Sequence, residues 1–586
     1  MYGNTQNIVL NFFSDTYFKS KYFLKMKSNL SNIIRISILF ILLLLPIFYS
    51  LAVAVDLEYS LVKKLAYLWV VLILLLIPAL FLKARTYFIV QGIFNFLFFP
   101  IDVVSLYLNK QSTSQAFLKN ILGTNFKEAV ELLISLWPLC LGVVGLYVIY
   151  FILAFKVENK NLVPQKLKKV ILISGAVAAF VGVTFFTFYS KRKNNAQTIS
   201  QSVGSAINFC YMKLYKIYPY NLYVHLAGII EDTNRQKNLQ KQVANFTFGI
   251  TPQQSDSAAL YILVIGEAVR YDHLGINGYE RNTTPLLEKR NNLISYDSAF
   301  SQANLTSYSL PLILSRATAD DADRAYREKS IAEAFQEAGY KSGYINKQIS
   351  LPIESRVIKQ CDYAYENIKP LDVDGVYDVG MIDDLKKCVS DTLQFFVMHM
   401  LGNHFRYEYR YPQEFEIYKP VMGKSFSYLS LTKENKEKLI NAYDNCILYL
   451  DYFMDELISY VDSLNRSAVV VYMSDHGESF WDDERNLSLH GSYEISEYEF
   501  HVPMLVWYSD EYASKYPEKV ENLQKNKTKA VSSQVLFYSL LDMANVKEVV
   551  DSTKSISSSY LQPIDSLWLF NGGGFKIHHS FKKSLQ

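Results

Sequence analysis

The chain has 586 residues, a formal net charge of +3, and 50% apolar residues. This length exceeds one ordinary domain, and the nearly balanced charge gives no reason to expect a nucleic-acid partner. The five cysteines are too sparse for a disulfide framework or a cysteine metal site, although one bridge stays open.

Five long apolar runs dominate the first third of the chain. They cover residues 34–55, 62–82, 86–108, 131–155 and 170–190. Each approaches the roughly 20 apolar residues that a helix needs to cross a bilayer core, with Asp102 as an internal charge. Five runs in succession predict a transmembrane domain over residues 34–190 rather than buried core helices. The first run is too long for a cleavable signal peptide, and a polar tail at residues 1–33 precedes it.

Lysine and arginine in the flanking segments predict the orientation. They are concentrated in the N-terminal tail and in the second and fourth connections, and short cationic flanks mark the cytoplasmic side. With five spans, everything after about residue 190 then lies on the side of the membrane opposite the cytoplasm. The cationic triplet 191–193 opposes this orientation, but the other flanks favour it.

Residues 191–256 form the next predicted segment. They are neither apolar enough to span a membrane nor polar enough to be a free linker, and they are rich in tyrosine. Tyrosine favours the membrane interface, where its ring is in an apolar environment and its hydroxyl stays hydrated. We expect an interfacial bridging segment, with an ordinary amphipathic connector as the alternative.

The sequence pattern of residues 257–586 predicts an α/β catalytic domain. Its predicted strands are 259–265, 393–400, 467–474 and 502–509. Helical patterns lie between them, for example at 330–339 and 432–464. This alternation indicates a mostly parallel sheet covered by helices. Ligands bind beyond the carboxyl ends of the strands in such sheets, so the side chains that follow the strands are candidate site residues.

Three candidate metal ligands follow strands that are distant in sequence. Glu267 follows the first predicted strand, and Asp475 and His476 follow the strand at 467–474. Carboxylate oxygens together with an imidazole nitrogen suit Zn²⁺ better than Mn²⁺ or Mg²⁺. We therefore expect a zinc site at this edge of the sheet. A helix cap beside a surface histidine is the simpler interpretation of Asp475 and His476 alone.

A reactive hydroxyl group is expected beside this metal. Thr306 stands where a loop gives way to an apolar helical run, and a helix N-terminus attracts phosphate. Metal coordination would lower the pKa of the Thr306 hydroxyl and make it a nucleophile. The alternatives are that Thr306 only caps the helix, or that Ser307 or Ser309 is the nucleophile.

Five of the nine histidines lie between residues 399 and 501. Imidazoles in this region can bind phosphate oxygens, protonate a leaving alkoxide or hold a second metal. We predict substrate binding for three of them: His399, His404 and His490. A merely hydrogen-bonded role is the alternative for each of these, and it is the role that we prefer for His501.

Taken together, these motifs resemble a known family. VIGEAVRYDHLGINGYERNTTPLL, NLTSYSLP, HMLGNH, SDHGES and LSLHGSYE occur in this order between residues 264 and 494. They are similar to the signatures of bacterial envelope phosphoethanolamine transferases, which belong to the alkaline-phosphatase-like superfamily. The resemblance covers nearly the whole chain. It implies an alkaline-phosphatase-like fold, a zinc ion held by Glu267, Thr306, Asp475 and His476, and Thr306 as the nucleophile.

The resemblance also implies a reaction. Thr306 attacks phosphatidylethanolamine at phosphorus, diacylglycerol leaves, and an envelope glycolipid accepts the phosphoethanolamine on its lipopolysaccharide core or lipid A. Thr124 and Glu128, in the outer loop between the third and fourth spans, are expected to meet the ethanolamine ammonium; a plain solvated loop is the alternative. No cysteine flanks Thr306. In this respect the chain is more similar to the branch of the family that modifies core-oligosaccharide heptose.

The nearest alternative is a glycerophosphate transferase similar to lipoteichoic acid synthase, with the same five spans and a metal-bound threonine. Arg270 and the Gly-Tyr-Glu-Arg motif favour ethanolamine transfer. A sulfatase is disfavoured because no Cys-x-Pro-x-Arg or Ser-x-Pro-x-Arg motif is present. Intact candidates for every ligand and for the nucleophile disfavour a non-catalytic membrane scaffold.

Overall fold

The computed structural model describes residues 4–54, 61–123, 136–194, 214–215, 217–252, 258–366, 377–424, 426 and 428–581. The chain divides into two compact units. The first comprises residues 1–113 and 136–225, and the second comprises residues 114–135 and 226–586. The domain boundaries predicted at residues 33, 190 and 256 stay predictions.

Long helices make up the described N-terminal part of the chain. They are α1 (Asn4–Val53), α2 (Leu61–Leu76), α3 (Ala84–Phe96), α4 (Phe99–Asn109), α5 (Gln115–Gly123), α6 (Trp137–Phe155), α7 (Gln165–Asn194) and α8 (Tyr220–Val243). Helix α5 and the part of α8 that follows His225 belong to the second unit.

Four stretches of the described N-terminal region are long and apolar enough to cross a membrane. They are Asn29–Val53, Val62–Leu80, Ala84–Tyr107 and Trp137–Phe155, and they correspond to the first four predicted runs. Large apolar side chains such as Trp69 and Phe155 are exposed, as lipid-facing residues would be. The fifth predicted run, 170–190, lies within α7, which is not among the four, so five spans are not confirmed.

The first unit has its own buried core, which includes polar side chains. Tyr150 lies against Gly92 of α3, where a Cβ atom would overlap its ring, and its hydroxyl donates to Phe88 O at 2.7 Å. Asp102, the predicted internal charge, is fully buried. Its Oδ1 accepts from Thr113 Oγ1 at 2.9 Å and from Asn221 Nδ2 at 3.1 Å. Asp102 therefore ties α4 to α8 within this unit.

A mixed sheet organises the second unit. The strands in the described residues are β1 (Ala259–Gly266), β2 (Leu293–Ser295), β3 (Ala299–Phe300), β4 (Lys341–Asn346), β5 (Tyr363–Glu366), β6 (Gln394–His399), β7 (Ser467–Ser474), β8 (Ser479–Phe480), β9 (Ser488–Leu489), β10 (Met504–Tyr508), β11 (Val531–Ser532), β12 (Ser566–Phe570) and β13 (Lys576–Ser580). Seven of these described strands form one sheet in the order β2-β10-β7-β1-β6-β4-β5. The pairs from β7 to β5 are parallel, and β10 is antiparallel to both neighbours.

Helices cover both faces of this sheet, as the alternating pattern predicts. The helices described for the second unit after residue 258 are α9 (Thr306–Ile313), α10 (Arg324–Arg327), α11 (Ile331–Glu337), α12 (Pro352–Gln360), α13 (Gly380–Cys388), α14 (Lys436–Asp462), α15 (Glu497–Phe500), α16 (Asp510–Lys515), α17 (Pro517–Asn526) and α18 (Val535–Met543). Alternate residues of β1 enter different cores: Tyr261 packs with α11 and α18, and Ile262 packs with α13 and α14. The α/β class with a mostly parallel sheet is thus confirmed.

The described cysteines of the second unit form no disulfide. Cys361, Cys388 and Cys446 are free thiols, and Cys210 lies outside the described residues. No cystine therefore stabilises the described part of the second unit, and its stability rests on the two apolar cores.

Candidate active site and metal centre

The parallel pairing of β1 and β7 brings the predicted ligands together. Gly266 and Ser474 are register partners at the ends of these strands, and Asp475 N donates to Gly266 O at 3.0 Å. Glu267 and Asp475 therefore leave the sheet side by side, and His476 follows. All three side chains are at most 1% exposed.

The Thr306 hydroxyl faces these side chains. Thr306 is the first residue of α9, and Leu305 occupies the N-cap position. The Thr306 Oγ1 donates to Glu267 Oε2 at 3.1 Å and lies 3.2 Å from His476 Nε2. The hydroxyl is therefore directed at the candidate ligands, and it makes no capping hydrogen bond to its own helix.

Ser307 and Ser309 do not share this position. Ser309 is fully buried, and its Oγ donates to Asp475 O at 2.6 Å. The Ser307 Oγ is buried and has no hydrogen-bond partner in the structure. Of the three hydroxyl groups, the Thr306 hydroxyl is the one that contacts both Glu267 and His476.

The donor atoms surround one point. His476 Nε2 lies 3.4 Å from Glu267 Oε1 and 3.5 Å from Asp475 Oδ2. The His476 Nδ1 lies 2.8 Å from Gly477 O, so Nδ1 is the protonated nitrogen of the neutral ring and Nε2 is free to bind a cation. Asp475 Oδ2 is buried and has no hydrogen-bond partner in the described structure. This orphaned oxygen and the mixed O and N donor set fit a zinc-like cation.

The charges of the site are consistent with this assignment. Burial raises the pKa of Asp475 to about 6, helped by the charge of Glu267. Burial opposes a charged His476, but Asp475 and Glu267 raise its pKa to about 10. The two carboxylates therefore attract positive charge at this point, whether a proton or a metal ion supplies it.

His490 approaches the same cluster from another loop. Ligating atoms of Glu267, His476 and His490 lie within 4.8 Å of one another, so His490 is also a candidate ligand, although we predicted it to bind substrate. Its Nδ1 lies 3.0 Å from Glu478 Oε1. Glu478 is fully buried and also accepts from Tyr407 Oη at 2.9 Å. Glu478 thus fixes the ring so that Nε2 faces the site.

His399 and His404 have different surroundings. His404 is partly buried, and burial lowers its pKa to about 4, so its ring is neutral near pH 7 and can bond phosphate oxygens through N–H. His399 is fully buried, with Nδ1 at 2.7 Å from Glu354 Oε1. This position suits a supporting role for His399 better than contact with substrate, and its predicted substrate contact stays a prediction. Thr124 and Glu128 lie outside the described residues.

Two contacts of the site could not be predicted from the motifs. Gln348, in the loop after β4, donates through Nε2 to Glu267 Oε2 and to Met400 O, both at 2.8 Å. Glu478 belongs to SDHGES, but its role becomes visible only through His490. The sequence contains no signal for Gln348, because its partners lie 81 and 52 residues away.

The first signature mostly stabilises the fold. Arg270 pairs with Asp272 at 2.6 Å and with Asp482 at 2.8 Å. Arg281 pairs with the buried Asp444 at 2.8 Å. Both arginines are therefore bound within the chain, so they do not by themselves select an ethanolamine headgroup.

Two family models match the chain. The model described as Sulfatase matches residues 259–546, and the model described as Phosphoethanolamine transferase EptA/EptB matches residues 112–200. Among curated proteins, the Kdo(2)-lipid A phosphoethanolamine 7''-transferase of Escherichia coli K12 is 31% identical over 298 residues, which are 48% of this chain and 50% of the relative. The chain thus spans about half the length of this relative and of its Salmonella counterpart. EptA of Salmonella typhimurium is 27% identical over 74% of this chain and 78% of its own.

Solved structures support the same fold. The integral membrane phosphoethanolamine transferase EptA of Neisseria meningitidis superposes with a TM-score of 0.60, at 20% identity, over 80% of this chain and 86% of its own. The periplasmic domain of E. coli EptC, solved in complex with Zn, gives a TM-score of 0.50 at 20% identity over 57% of this chain and 95% of that domain. The chain therefore carries a domain that the Sulfatase model matches and a segment that the EptA/EptB phosphoethanolamine transferase model matches, and the relatives named above are phosphoethanolamine transferases.

Proposed function

We propose that the chain transfers phosphoethanolamine from phosphatidylethanolamine to an envelope glycolipid through a covalent intermediate on Thr306. The observation that carries this proposal is the position of Thr306 Oγ1, 3.1 Å from Glu267 Oε2 and 3.2 Å from His476 Nε2. The Kdo(2)-lipid A phosphoethanolamine 7''-transferases of Escherichia coli and Salmonella typhimurium, whose names describe transfer to lipid A, support the substrate class.

Glu267, Asp475, His476 and Thr306 are proposed to hold a zinc ion, and His490 is proposed to act on the phosphoryl group beside it. The Zn complex of the E. coli EptC domain supports zinc. When bound, such an ion lowers the pKa of a coordinated hydroxyl and offsets the charge of the phosphoryl oxygens. The orphaned Asp475 Oδ2 provides the unfilled acceptor that this assignment needs.

Two displacements at phosphorus complete the proposed reaction. Thr306 Oγ1 bonds to phosphorus of phosphatidylethanolamine as the bond to the diacylglycerol oxygen breaks, and diacylglycerol leaves with a proton. A hydroxyl of the acceptor then bonds to phosphorus, and Thr306 is regenerated. The N-terminus of α9 and the neutral His404 ring bind phosphoryl oxygens, and His490, held by Glu478, is placed to exchange the proton.

The proposal also includes the headgroup contacts, the membrane location and the acceptor. Thr124 and Glu128 are proposed to bind the ammonium group of ethanolamine. The chain is proposed to lie in the inner membrane, with the catalytic unit on the periplasmic side. The acceptor is proposed to be lipid A or the lipopolysaccharide core, with core heptose favoured because no cysteine flanks Thr306.

Peptide mapping tests the nucleophile. Full-length protein in detergent is incubated with phosphatidylethanolamine and no acceptor, and a phosphoethanolamine adduct is expected on Thr306. Thr306→Ala should keep the fold and some metal but lose transfer, a change on the order of 4–8 kcal/mol in activation free energy. Thr306→Ser should keep part of the activity, because it retains the hydroxyl.

Matched variants and donors complete the test. Ser307→Ala and Ser309→Ala should leave the Thr306 adduct in place. An adduct on Ser307 or Ser309 with Thr306 unmodified would overturn the proposal. A glycerophosphate adduct from phosphatidylglycerol, with none from phosphatidylethanolamine, would replace it with glycerophosphate transfer.

A further inference from the structure

Glu499 is a buried carboxylate that has no part in the reaction proposed above. It lies in α15 and is fully buried. Its oxygens accept from four side-chain donors, which are Asn304 Nδ2 at 2.6 Å, Ser492 Oγ at 2.9 Å, Ser479 Oγ at 3.0 Å and Arg485 Nη1 at 3.1 Å. A carboxylate can accept from all four at once, because its two oxygens have about four lone-pair sites.

These donors come from the segments that carry the site. Asn304 stands two residues before Thr306, and Ser492 stands two residues after His490. The main chain of Glu499 adds a third connection, since its O accepts from Gly477 N at 2.8 Å, directly after His476. One residue therefore connects the nucleophile segment, the His490 loop and the metal-ligand segment.

Asn304 strengthens this connection. The same Nδ2 that donates to Glu499 Oε2 also donates to Ser492 O at 3.1 Å. Both amide protons are thus used, one for α15 and one for the His490 loop. Arg485 supplies the positive charge, and it also pairs with Asp483 at 2.9 Å. The buried charge of Glu499 is therefore hydrogen-bonded and paired, as a buried charge must be.

We infer that Glu499 is a positioning residue that sets the separation of Thr306 and His490. The inference rests on the proposed function, in which these two residues act on the same phosphoryl group. A misplacement of about 1 Å between reacting groups costs roughly 100-fold in rate. Glu499 touches no reacting atom, so its effect is expected on the rate of adduct formation rather than on donor binding.

Glu499→Gln changes one contact selectively. Glu499 Oε1 accepts from Arg485, Ser479 and Ser492, whereas Oε2 accepts chiefly from Asn304. If the amide nitrogen of the introduced glutamine takes the Oε2 position, the hydrogen bonds to the Oε1 position are kept. At the Oε2 position, the amide N–H then faces the N–H of Asn304, and two donors meet without an acceptor. The single-turnover rate of Thr306 adduct formation should fall roughly 100-fold, with an unchanged half-saturating donor concentration and unchanged metal content.

A reciprocal exchange tests the direction of the hydrogen bond. Asn304→Asp alone would place two carboxylates in contact and should be worse than Glu499→Gln. In the double variant, the amide introduced at position 499 can donate to the carboxylate introduced at position 304, so adduct formation should recover roughly tenfold relative to Glu499→Gln. Recovery is partial, because the bond from Asn304 to Ser492 O is not replaced.

Asp542 offers a matched control. It is a carboxylate that contacts a cation and two serines, Lys519 at 3.0 Å, Ser555 at 2.5 Å and Ser557 at 2.7 Å. Asp542→Asn should lower the melting temperature and leave the adduct rate per folded molecule unchanged. If Glu499→Gln does not fold, Asn304→Ala replaces it, because it removes the connection to Ser492 and leaves three donors on Glu499.

The outcomes separate the two proposals. Absence of any Thr306 adduct in the unmodified protein contradicts the proposed function. An adduct that forms normally there and at the same rate in Glu499→Gln or Asn304→Ala, with only the melting temperature lowered, overturns the positioning role. A roughly 100-fold slower adduct with normal donor saturation, partly restored by the exchange, supports it.

Discussion

The two oxygens of Asp475 differ in their surroundings, and this difference indicates a bound cation. Oδ1 accepts from Ala268 N at 3.2 Å and from His476 N at 2.8 Å. Oδ2 is buried and has no hydrogen-bond partner in the described structure, which is costly unless a cation or proton binds it. Asp475→Asn should therefore lower the metal content of the purified protein roughly tenfold or more and abolish transfer.

Asp451 provides the comparison for this prediction. It is also a buried carboxylate with two main-chain donors, Leu286 N and Leu287 N, both at 2.9 Å. Each of its oxygens is satisfied by one of them, so no acceptor is left for a cation. Asp451→Asn should reduce stability and leave the metal content unchanged. Elemental analysis after gel filtration gives the answer, and full metal occupancy in Asp475→Asn would remove Asp475 from the ligand set.

Glu408 makes stability depend on pH. Burial raises the pKa of Glu408 to about 7 from 4.5, against hydrogen bonds from the main chain of Met422 and Gly423. Because the folded-state pKa lies above the unfolded value, this group stabilises the fold most below about pH 4.5, and its contribution is lost as pH rises through 7. The loss amounts to about 3 kcal/mol above pH 7.

Glu408→Gln should remove this loss. Its melting temperature in detergent should exceed that of the unmodified protein at pH 8, and the difference should shrink towards pH 5. Glu414, which is exposed on the same loop, is the control, since Glu414→Gln removes a carboxylate that is not buried. An equal shift at both pH values in Glu408→Gln would show that burial of this carboxyl does not drive the pH dependence.

At the scale of the elements, buried runs predicted strands well. The four predicted strands correspond to β1, β6, β7 and β10, with ends displaced by at most two residues. These strands are buried throughout, so apolar sequence marks them. Strands β2, β4 and β5 were not predicted. Strands β2 and β5 are short, lie at the sheet edges and are partly exposed, and the buried strand β4 has the sequence KSGYIN, which is not an apolar run.

The same limit applies to the site. Residues that follow buried strands, such as Glu267 and Asp475, are predictable because the sheet edge is a general binding position. Gln348 and Glu499 are not predictable in this way. Their roles depend on side-chain contacts with segments 81 and 195 residues away, and no local pattern records such a contact.

The C-terminal hairpin supports the His490 loop. Gly572 N donates to Ser492 O at 2.9 Å, and a Cβ atom at position 572 would overlap Gly491 O. Gly491 has φ +80°, so it cannot easily be shifted to another conformation. Gly572→Ala should therefore displace His490 and slow transfer roughly 10- to 100-fold.

Ser566, at the start of β12 in the same hairpin, is the control for this prediction. It is only half-buried, so Ser566→Ala should leave transfer unchanged. The measurement is the rate of Thr306 adduct formation at saturating donor. Normal kinetics in Gly572→Ala would show that the hairpin does not set the position of His490.

For the whole molecule, an even or odd number of membrane spans determines on which side of the membrane the second unit lies. If the N-terminal tail is cytoplasmic, four spans return the chain to the cytoplasm and five place it outside. The described helices supply four candidate spans. Helix α7 is the remaining candidate: its 30 residues would extend about 45 Å, more than the roughly 30 Å of a bilayer core.

Reporter fusions can therefore determine the number of spans. Alkaline phosphatase, which is active only outside the cytoplasm, should be inactive when fused after Pro164, which precedes α7, and active when fused after Gly249, which follows α8. Cytoplasmic flanks rich in lysine support this expectation before α7, and a lipid donor with its phosphate at the membrane interface suits a catalytic unit on the outer side. Green fluorescent protein at the same two positions should give the opposite pattern, which controls for expression. Inactive phosphatase with bright fluorescence at both positions would mean that α7 does not span, and that the catalytic unit is cytoplasmic.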